Sequence, residues 1–271
     1  MKLQKKHLIM NNRCNVKNIY QNNSKYKIAL CFLTYGNLSK PELWKKFINS
    51  RYNIYIHNKY LFSGIFNKFC INKKVKTRWG DLSLVQATLL LFKEAFKNKE
   101  NKYFILLSDK CIPLYSPNNI YKFIFETNSN IFHSRKAKSR EHVSRFNTIH
   151  NKELFNIKDF NIQSQWMILK RNTISFFLDN NFLKIFGTKS RIPDEMFFVN
   201  IMNKYNIPFI NRAITYVNWK EISDNNKKYR NYPKTYSILT NDMIENILKE
   251  KTIFMRKISP ECELPSYFNN L

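Results

Sequence analysis

A mixed, mostly parallel β-sheet with helices on both faces is the architecture this chain predicts, and three observations carry it. Lys27-Ile-Ala-Leu-Cys-Phe-Leu33 and Lys102-Tyr-Phe-Ile-Leu-Leu107 are short continuous apolar runs, the pattern of strands buried on both faces. A helical stretch and a second β-rich run, Tyr52-Asn-Ile-Tyr-Ile-His57, follow the first of them, giving strand, helix and strand within about thirty residues, a βαβ unit. Leu82, Val85, Leu89, Phe92 and Phe96 then recur at helical spacing before the next strand. Alternation of this kind builds α/β folds.

Each element has a local reason. The first strand ends at Thr34-Tyr-Gly36, and Pro41 pre-sets the backbone for a helix to Ile48. After Trp79-Gly80, Asp81 or Ser83 can cap the long helix, with Lys93 and Lys97 on its polar side. The central strand stops at Ser108-Asp-Lys-Cys-Ile-Pro113. A helix from Pro117 to Glu126 and a strand from Ser129 to His133 follow. Residues Ser134 to Asn161 are polar and rich in His and Arg, which predicts a long excursion over one face, and such excursions often meet substrate. Gln163 to Leu169 reads as a strand leading into a helix through about Asp179. Pro193 to Tyr205 reads as a helix with Pro and two acids in its first turn. A strand (Ala213 to Trp219), a loop, a helix (Asn241 to Lys249) and a last strand (Ile253 to Ile258) complete the chain.

At 271 residues, with 44% hydrophobic residues and only 4 Gly and 8 Pro, the chain can bury a full core and has little room for linkers. Residues 1–25 are polar and Asn-rich and predict a flexible arm; residues 26–271 predict one domain. No signal peptide and no apolar run of membrane-spanning length is present, so the expected location is cytoplasmic or peripheral to a membrane, unless an anchor lies outside this chain. The matches to a glycosylation pattern at Asn22 and Asn37 then carry little meaning. Lys+Arg 46 against Asp+Glu 19 leaves a formal charge of +27, which favours salt-dependent contact with polyanions or anionic membrane surfaces. The basic residues are scattered, and Ser134-Arg-Lys-Ala-Lys-Ser-Arg140 is the nearest approach to a basic run, so no dedicated nucleic-acid site is expected. Five cysteines, Cys14, Cys31, Cys70, Cys111 and Cys262, are odd in number and widely spaced. That pattern argues against a disulfide framework or a zinc site.

The chemistry-bearing residues are Arg191-Ile-Pro-Asp194-Glu195, Tyr232-Pro-Lys234 and Ile253-Phe-Met-Arg256-Lys257. A carboxylate that accepts a proton and cations that hold a departing phosphate suit metal-free transfer from a nucleotide-sugar. No Asp-x-Asp occurs to hold a divalent ion, and Asp109 stands without a second carboxylate. Pro followed by Asp-Glu is equally an ordinary helix start, where acids offset the dipole.

In their order the blocks resemble the core-2/I-branching β-1,6-N-acetylglucosaminyltransferase family, especially its plant-type branch. They are Ile28-Ala-Leu-Cys-Phe-Leu-Thr-Tyr-Gly36, Leu43-Trp44 and Tyr55-Ile-His57; then Trp79-Gly80, Ser83-Leu-Val85, Phe104-Ile-Leu-Leu-Ser108 and Cys111-Ile-Pro-Leu114; then Ser164-Gln-Trp166, Pro193-Asp-Glu195 and Phe254-Met-Arg-Lys257. The resemblance implies a GT-A-like nucleotide-sugar-binding fold and an inverting mechanism with no divalent metal or other cofactor. The donor it implies is a UDP-sugar, and N-acetylglucosamine or a related sugar passes to a glycan or glycoprotein acceptor. Glu195 matches the family's base, with Asp194 capping or orienting it. Lys257 matches a phosphate-holding Lys, and Arg256 adds charge beside it. Lys234 stands where the family has Arg, exchanging a bidentate fork for a point charge. Thr34 and His57 fall where uridine or ribose is received, Ser164, Gln165 and Trp166 near the donor sugar, and Arg145 near the acceptor loop. Trp79 is a further candidate for stacking, although a Trp in an apolar setting is more often core. Gln163 replaces a Gly common in the family. Two other readings remain: a basic protein that binds nucleic acid or anionic surfaces, and a degenerate member that binds glycans without catalysis.

Overall fold

The computed structural model describes residues 25–219 and 232–271. The proposed N-terminal arm apart from Lys25, the Asn22 pattern, Cys14 and most of the loop after Trp219 lie outside the described residues.

Six strands form the central sheet: β1 (Lys27–Thr34), β2 (Tyr52–Asn58), β3 (Asn101–Ser108), β5 (Asn130–Lys136), β6 (Asn161–Lys170) and β7 (Phe209–Asn211), in the order β2-β1-β3-β6-β5-β7. β1 pairs in parallel with β2 and β3, and β5 with β7, while β6 runs antiparallel to both of its neighbours. This is the mixed, mostly parallel sheet that the sequence predicts, and it is consistent with a GT-A-like fold. β1 and β3 match the sequence expectation almost to the residue because both of their faces are covered, which forces an unbroken apolar run. β7 is three residues long and half exposed, too short to show a pattern.

Helices α1 (Pro41–Phe47), α2 (Ser83–Phe96) and α3 (Pro117–Thr127) lie against these strands. Tyr103 and Phe104 are adjacent in β3 and so point to opposite faces. Tyr103 meets Phe125 of α3 with ring centroids 4.9 Å apart, and Phe104 meets Phe92 of α2 at 6.1 Å. On the α2 face, α5 (Arg171–Asp179) and α7 (Phe197–Lys204) join through Phe177 and Phe198, 4.9 Å apart. α1 covers the other face, where Trp44 packs edge-on to Phe32 of β1 at 4.9 Å and donates its indole N–H to the Cys111 carbonyl at 3.1 Å.

A second, three-stranded sheet sets β10 (Phe254–Arg256) between β4 (Ile112–Pro113) and β8 (Thr215–Val217). A third pairs β9 (Tyr236–Ile238) with β11 (Ile258–Glu263). The single last strand predicted over Ile253 to Ile258 is thus two, with Lys257 at the junction. The excursion after Ser134 also differs from expectation. β5 continues to Lys136, and α4 (Arg140–Phe146) forms where the Ser139 hydroxyl accepts the His142 N–H at 3.1 Å. Shorter pieces are α6 (Leu183–Phe186) and α8 (Asn241–Lys249), the latter capped by Thr240.

One continuous apolar core runs from Ile28 to Phe268. Cys31, Cys111 and Cys262 are buried in it, Cys70 is half-buried, and all four are unpaired. Among the described residues no helix is long and apolar enough to cross a membrane.

Candidate active site

The β2-β1-β3 order creates a crevice. From β1 the chain crosses to β2 on one side and then over to β3 on the other, so the loops after β1 and β3 diverge at their carboxyl ends, where α/β sheets receive ligands. Thr34 ends β1 there, buried, with a hydroxyl that has no hydrogen-bond partner. The Gly36 N–H donates to the Asp109 carboxylate, and the Ser39 N–H to the Asp109 carbonyl at 2.9 Å. Burial raises the Asp109 carboxyl above its ordinary value, against the pull of Lys110 and Arg256.

The late cations reach the same crevice through backbone pairing. The Ile258 N–H donates to the Lys110 carbonyl at 3.0 Å, which locks the β10–β11 junction onto the loop after β3. The Tyr236 N–H donates to the Lys257 carbonyl at 2.8 Å, and the Lys257 N–H to the Lys234 carbonyl at 3.4 Å, so these two lysines are neighbours. Arg256 is half-buried, with its guanidinium 4.3 Å from the Trp166 ring centre and its Nε buried and unpartnered. Burial lowers its proton affinity, as it does for Lys257, which is drawn down to about 8 by burial and then by Arg256 and Lys110. Cations held this close together and half-buried fit an anion that arrives from outside.

Glu195 is built differently from the helix start that the sequence suggests. Pro193–Glu195 is one 3-10 turn, Met196 breaks it with φ −134°, and α7 begins only at Phe197. The turn is entered through Ile192 at φ 51°, a left-handed conformation costly for a β-branched residue. Its N–H donates to the Gly80 carbonyl at 2.8 Å, which ties the acidic turn to the start of α2. Gly80 itself has φ 71°. The Glu195 side chain is 35% exposed, and one of its oxygens accepts from Arg145 Nη1 at 2.7 Å. The other has no hydrogen-bond partner among the described residues and remains available. Arg145, 11% exposed, also binds Glu141, one turn back in α4. Asp194 faces inward, one carboxyl oxygen unpartnered, and burial followed by the charge of Glu195 pushes it up to about 7.

β6 joins the two groups. It contacts the Pro193–Glu195 turn, and its Trp166 lies under Arg256. Both groups stand at the carboxyl edge of the sheet, since α2 starts there and β6 begins beside the end of β5, Asn161 opposite Lys136. No hydrogen bond or ion pair joins Glu195 to Arg256 or Lys257 among the described residues. Ser164 and Gln165 are half-buried on β6, and the Ser164 hydroxyl accepts the Trp166 N–H at 3.3 Å. Gln163 turns away: it is buried, and its side-chain carbonyl accepts the Val199 N–H at 2.5 Å, capping α7.

His57 is committed to structure through one nitrogen, with Nε2 accepting the Val75 N–H at 2.9 Å and Nδ1 unpartnered. Trp166 is core on one side and cation-bound on the other. Trp79 is 79% exposed beside Gly80, contrary to the core expectation for a Trp. Glu141 and His142, in α4 with Arg145, were not singled out by the sequence reading. Only the His/Arg richness of the excursion hinted at them. Among the described residues no group of three or more His, Cys, Asp or Glu side chains is gathered as metal ligands would be.

Comparison with known proteins agrees with this architecture. The rice protein "Glycosyltransferase BC10" (Oryza sativa subsp. japonica) is 23% identical over 254 residues, covering 78% of this chain and 62% of the rice protein's own length. The family model described as "Core-2/I-Branching enzyme" matches residues 28–248, from the first strand into α8. The chain belongs to the Core-2/I-Branching enzyme family.

Proposed function

We propose that this protein is an inverting glycosyltransferase that moves N-acetylglucosamine or a related sugar from a UDP-sugar to a hydroxyl of a glycan or glycoprotein, without a divalent ion. The observation that carries the reading is the joint placement, in a member of this family, of Glu195 with one open carboxylate oxygen and of Arg256, Lys257 and Lys234 on the same sheet edge. The name of the rice relative points the same way.

The proposed step balances as follows. Glu195 takes the proton of the acceptor hydroxyl as its oxygen forms a bond to the anomeric carbon from one face. The bond from that carbon to the diphosphate breaks on the opposite face, its electron pair leaving on the phosphate oxygen. The anomeric centre inverts, as in other single-displacement sugar chemistry. Negative charge grows on the diphosphate, where Arg256 and Lys257 stabilise it more than they stabilise the intact donor. Two cations supply what a divalent ion supplies elsewhere. Asp194, raised to about 7 by burial, puts less negative charge beside the base near neutral pH than an ordinary carboxylate would.

Glu195→Gln is expected to lower transfer about 10²–10⁴-fold while leaving UDP affinity within twofold of wild type. Turnover that survives this change would refute the base assignment. Activity measured in excess EDTA is expected to be unchanged, and a loss restored by added divalent ion would refute the metal-free part.

A further inference from the structure

The two loops that leave β1 and β2 at the carboxyl edge of the sheet are paired from their first residues. The Lys59 N–H donates to the Thr34 carbonyl at 2.9 Å, and the Tyr60 N–H to the Tyr35 carbonyl at 3.2 Å. Farther out, the Asn37 amide donates to the Ser63 hydroxyl at 3.0 Å and accepts the Ser63 N–H at 2.8 Å. The tip braced in this way carries exposed apolar side chains. The Tyr35 and Tyr60 rings are exposed with their centroids 4.6 Å apart, and the Lys59 ammonium lies 5.5 and 5.3 Å from the two ring centres. Leu61 is 91% exposed, and Ile65, four residues on, is exposed as well. Phe62 and Phe66, the residues that follow each of them, are buried in the core. Those phenylalanines anchor the loop, so the fold has no need of Leu61 and Ile65 as aliphatic residues.

Positive charge surrounds this tip without opposition. Between Glu42 and Asp81 the chain has no acidic residue. Beyond the tip it returns along β2: the Ile71 N–H donates to the Ile56 carbonyl at 2.8 Å, and the Val75 N–H to His57 Nε2 at 2.9 Å. That path brings Lys74 and Lys76 back to the end of β2, where Lys59 begins the loop. All three lysines are exposed, and none forms an ion pair among the described residues. Net charge alone would draw the chain to any polyanion; the uncovered aliphatic residues at this one place narrow the partner. Single-stranded nucleic acid is held by stacking and cations and gains little from Leu or Ile. The cores of protein interfaces are poor in lysine. An anionic bilayer takes all three kinds of side chain: aliphatic at the acyl boundary, tyrosine at the headgroup level and lysine against the lipid charge. We propose that the tip formed by Tyr35, Tyr60, Leu61 and Ile65 docks this protein on an anionic phospholipid surface, with Lys59, Lys74 and Lys76 meeting the headgroups. The inference stands independently of the sugar-transfer reading. The tip leaves the same sheet edge that carries Glu195, so docking turns the candidate site toward that surface.

The probes are sedimentable vesicles of phosphatidylcholine alone and of phosphatidylcholine with about 30 mol % phosphatidylserine, mixed with the full chain at one fixed moderate salt concentration. Leu61→Ser/Ile65→Ser is compared with Ile210→Ser/Ile238→Ser, which removes two exposed aliphatic residues from β7, at the far edge of the central sheet, and from β9. Wild type is expected to partition onto the serine-containing vesicles at least about tenfold more strongly than onto the neutral ones. The tip variant is expected to lose at least about tenfold of that partitioning, and the control to stay within about twofold of wild type. Urea midpoints check that both variants keep the fold. Absent vesicle binding, or equal binding to the two compositions, overturns the proposal. Undiminished binding of the tip variant also overturns it, because adsorption is then a matter of net charge alone. So does an equal loss in the control, or a single-stranded oligonucleotide that binds wild type more tightly than the vesicles do and loses affinity in the tip variant. UDP titrated into the same samples separates the two readings: absent UDP binding with intact docking would sink sugar transfer and leave the membrane surface standing.

Discussion

Lys257 holds its proton less firmly than an ordinary lysine, down at about 8, because it is half-buried beside Arg256 and Lys110. A bound diphosphate favours the cation, so donor binding takes up a proton wherever free Lys257 is neutral. UDP affinity is therefore expected to be nearly flat from about pH 7 to 7.5 and to fall above pH 8, by up to about tenfold per pH unit. Lys257→Arg stays charged throughout and is expected to flatten the profile in calorimetric titrations; an unchanged slope would remove Lys257 from the phosphate site. Asp194 titrates with the opposite consequence for folding. Its carboxyl is raised to about 7, so between roughly pH 4 and 7 the folded state binds the extra proton. That contribution is fully present below the unfolded value and is lost as pH rises through about 7. Asp194→Asn keeps the shape without the charge. It is expected to raise stability above pH 7 by roughly 2 kcal/mol and to flatten the urea-midpoint profile across that window. A variant whose pH profile matches wild type would show that the buried acid is not the titrating group.

At the scale of elements, the short α7 depends on a side chain from the neighbouring strand. Gln163 stands where the resembling family often has Gly, a departure that put close donor approach in question. In the structure it faces α7, satisfying a helix N–H that would otherwise be buried without a partner. Gln163→Gly is expected to cost about 1–3 kcal/mol in denaturant titration. A variant of unchanged stability would refute the capping role. The strained entry to the acidic turn belongs to the same scale. Ile192 at φ 51° is held by Gly80, so α2, the turn and β6 together fix where Glu195 points. Periodicity predicted one continuous helix from Pro193 because Pro, two acids and apolar spacing all favour it. Tertiary contacts to Gly80 and β6 pulled the first turn out of line.

Across the whole molecule, Trp44 couples the central sheet to the small sheet that carries Arg256. Its ring touches Phe32 of β1 at 4.9 Å, Phe47 at 5.4 Å and Phe254 of β10 at 6.2 Å, and it binds the Cys111 carbonyl. Trp44→Ala is expected to destabilise by about 3–5 kcal/mol. Trp44→Phe, a milder change, is expected to remain folded yet weaken UDP binding, since β10 loses part of its support. Full UDP affinity in Trp44→Phe would show that β10 is positioned without it.

By itself the sequence determined the α/β class, the long buried strands β1 and β3, the helices α1, α2, α3 and α8, and the family, because apolar periodicity and the order of short motifs are local properties. It also determined which residue types were available for chemistry. It alone left Trp79 in solvent. Tertiary structure alone decided that Glu195 pairs with Arg145, that Gln163 turns into a helix cap, and that Arg256 lies half-buried over Trp166. Those pairings join groups 36 to 90 positions apart in the chain, and neither propensity nor local spacing encodes which of many lysines and arginines will meet which partner.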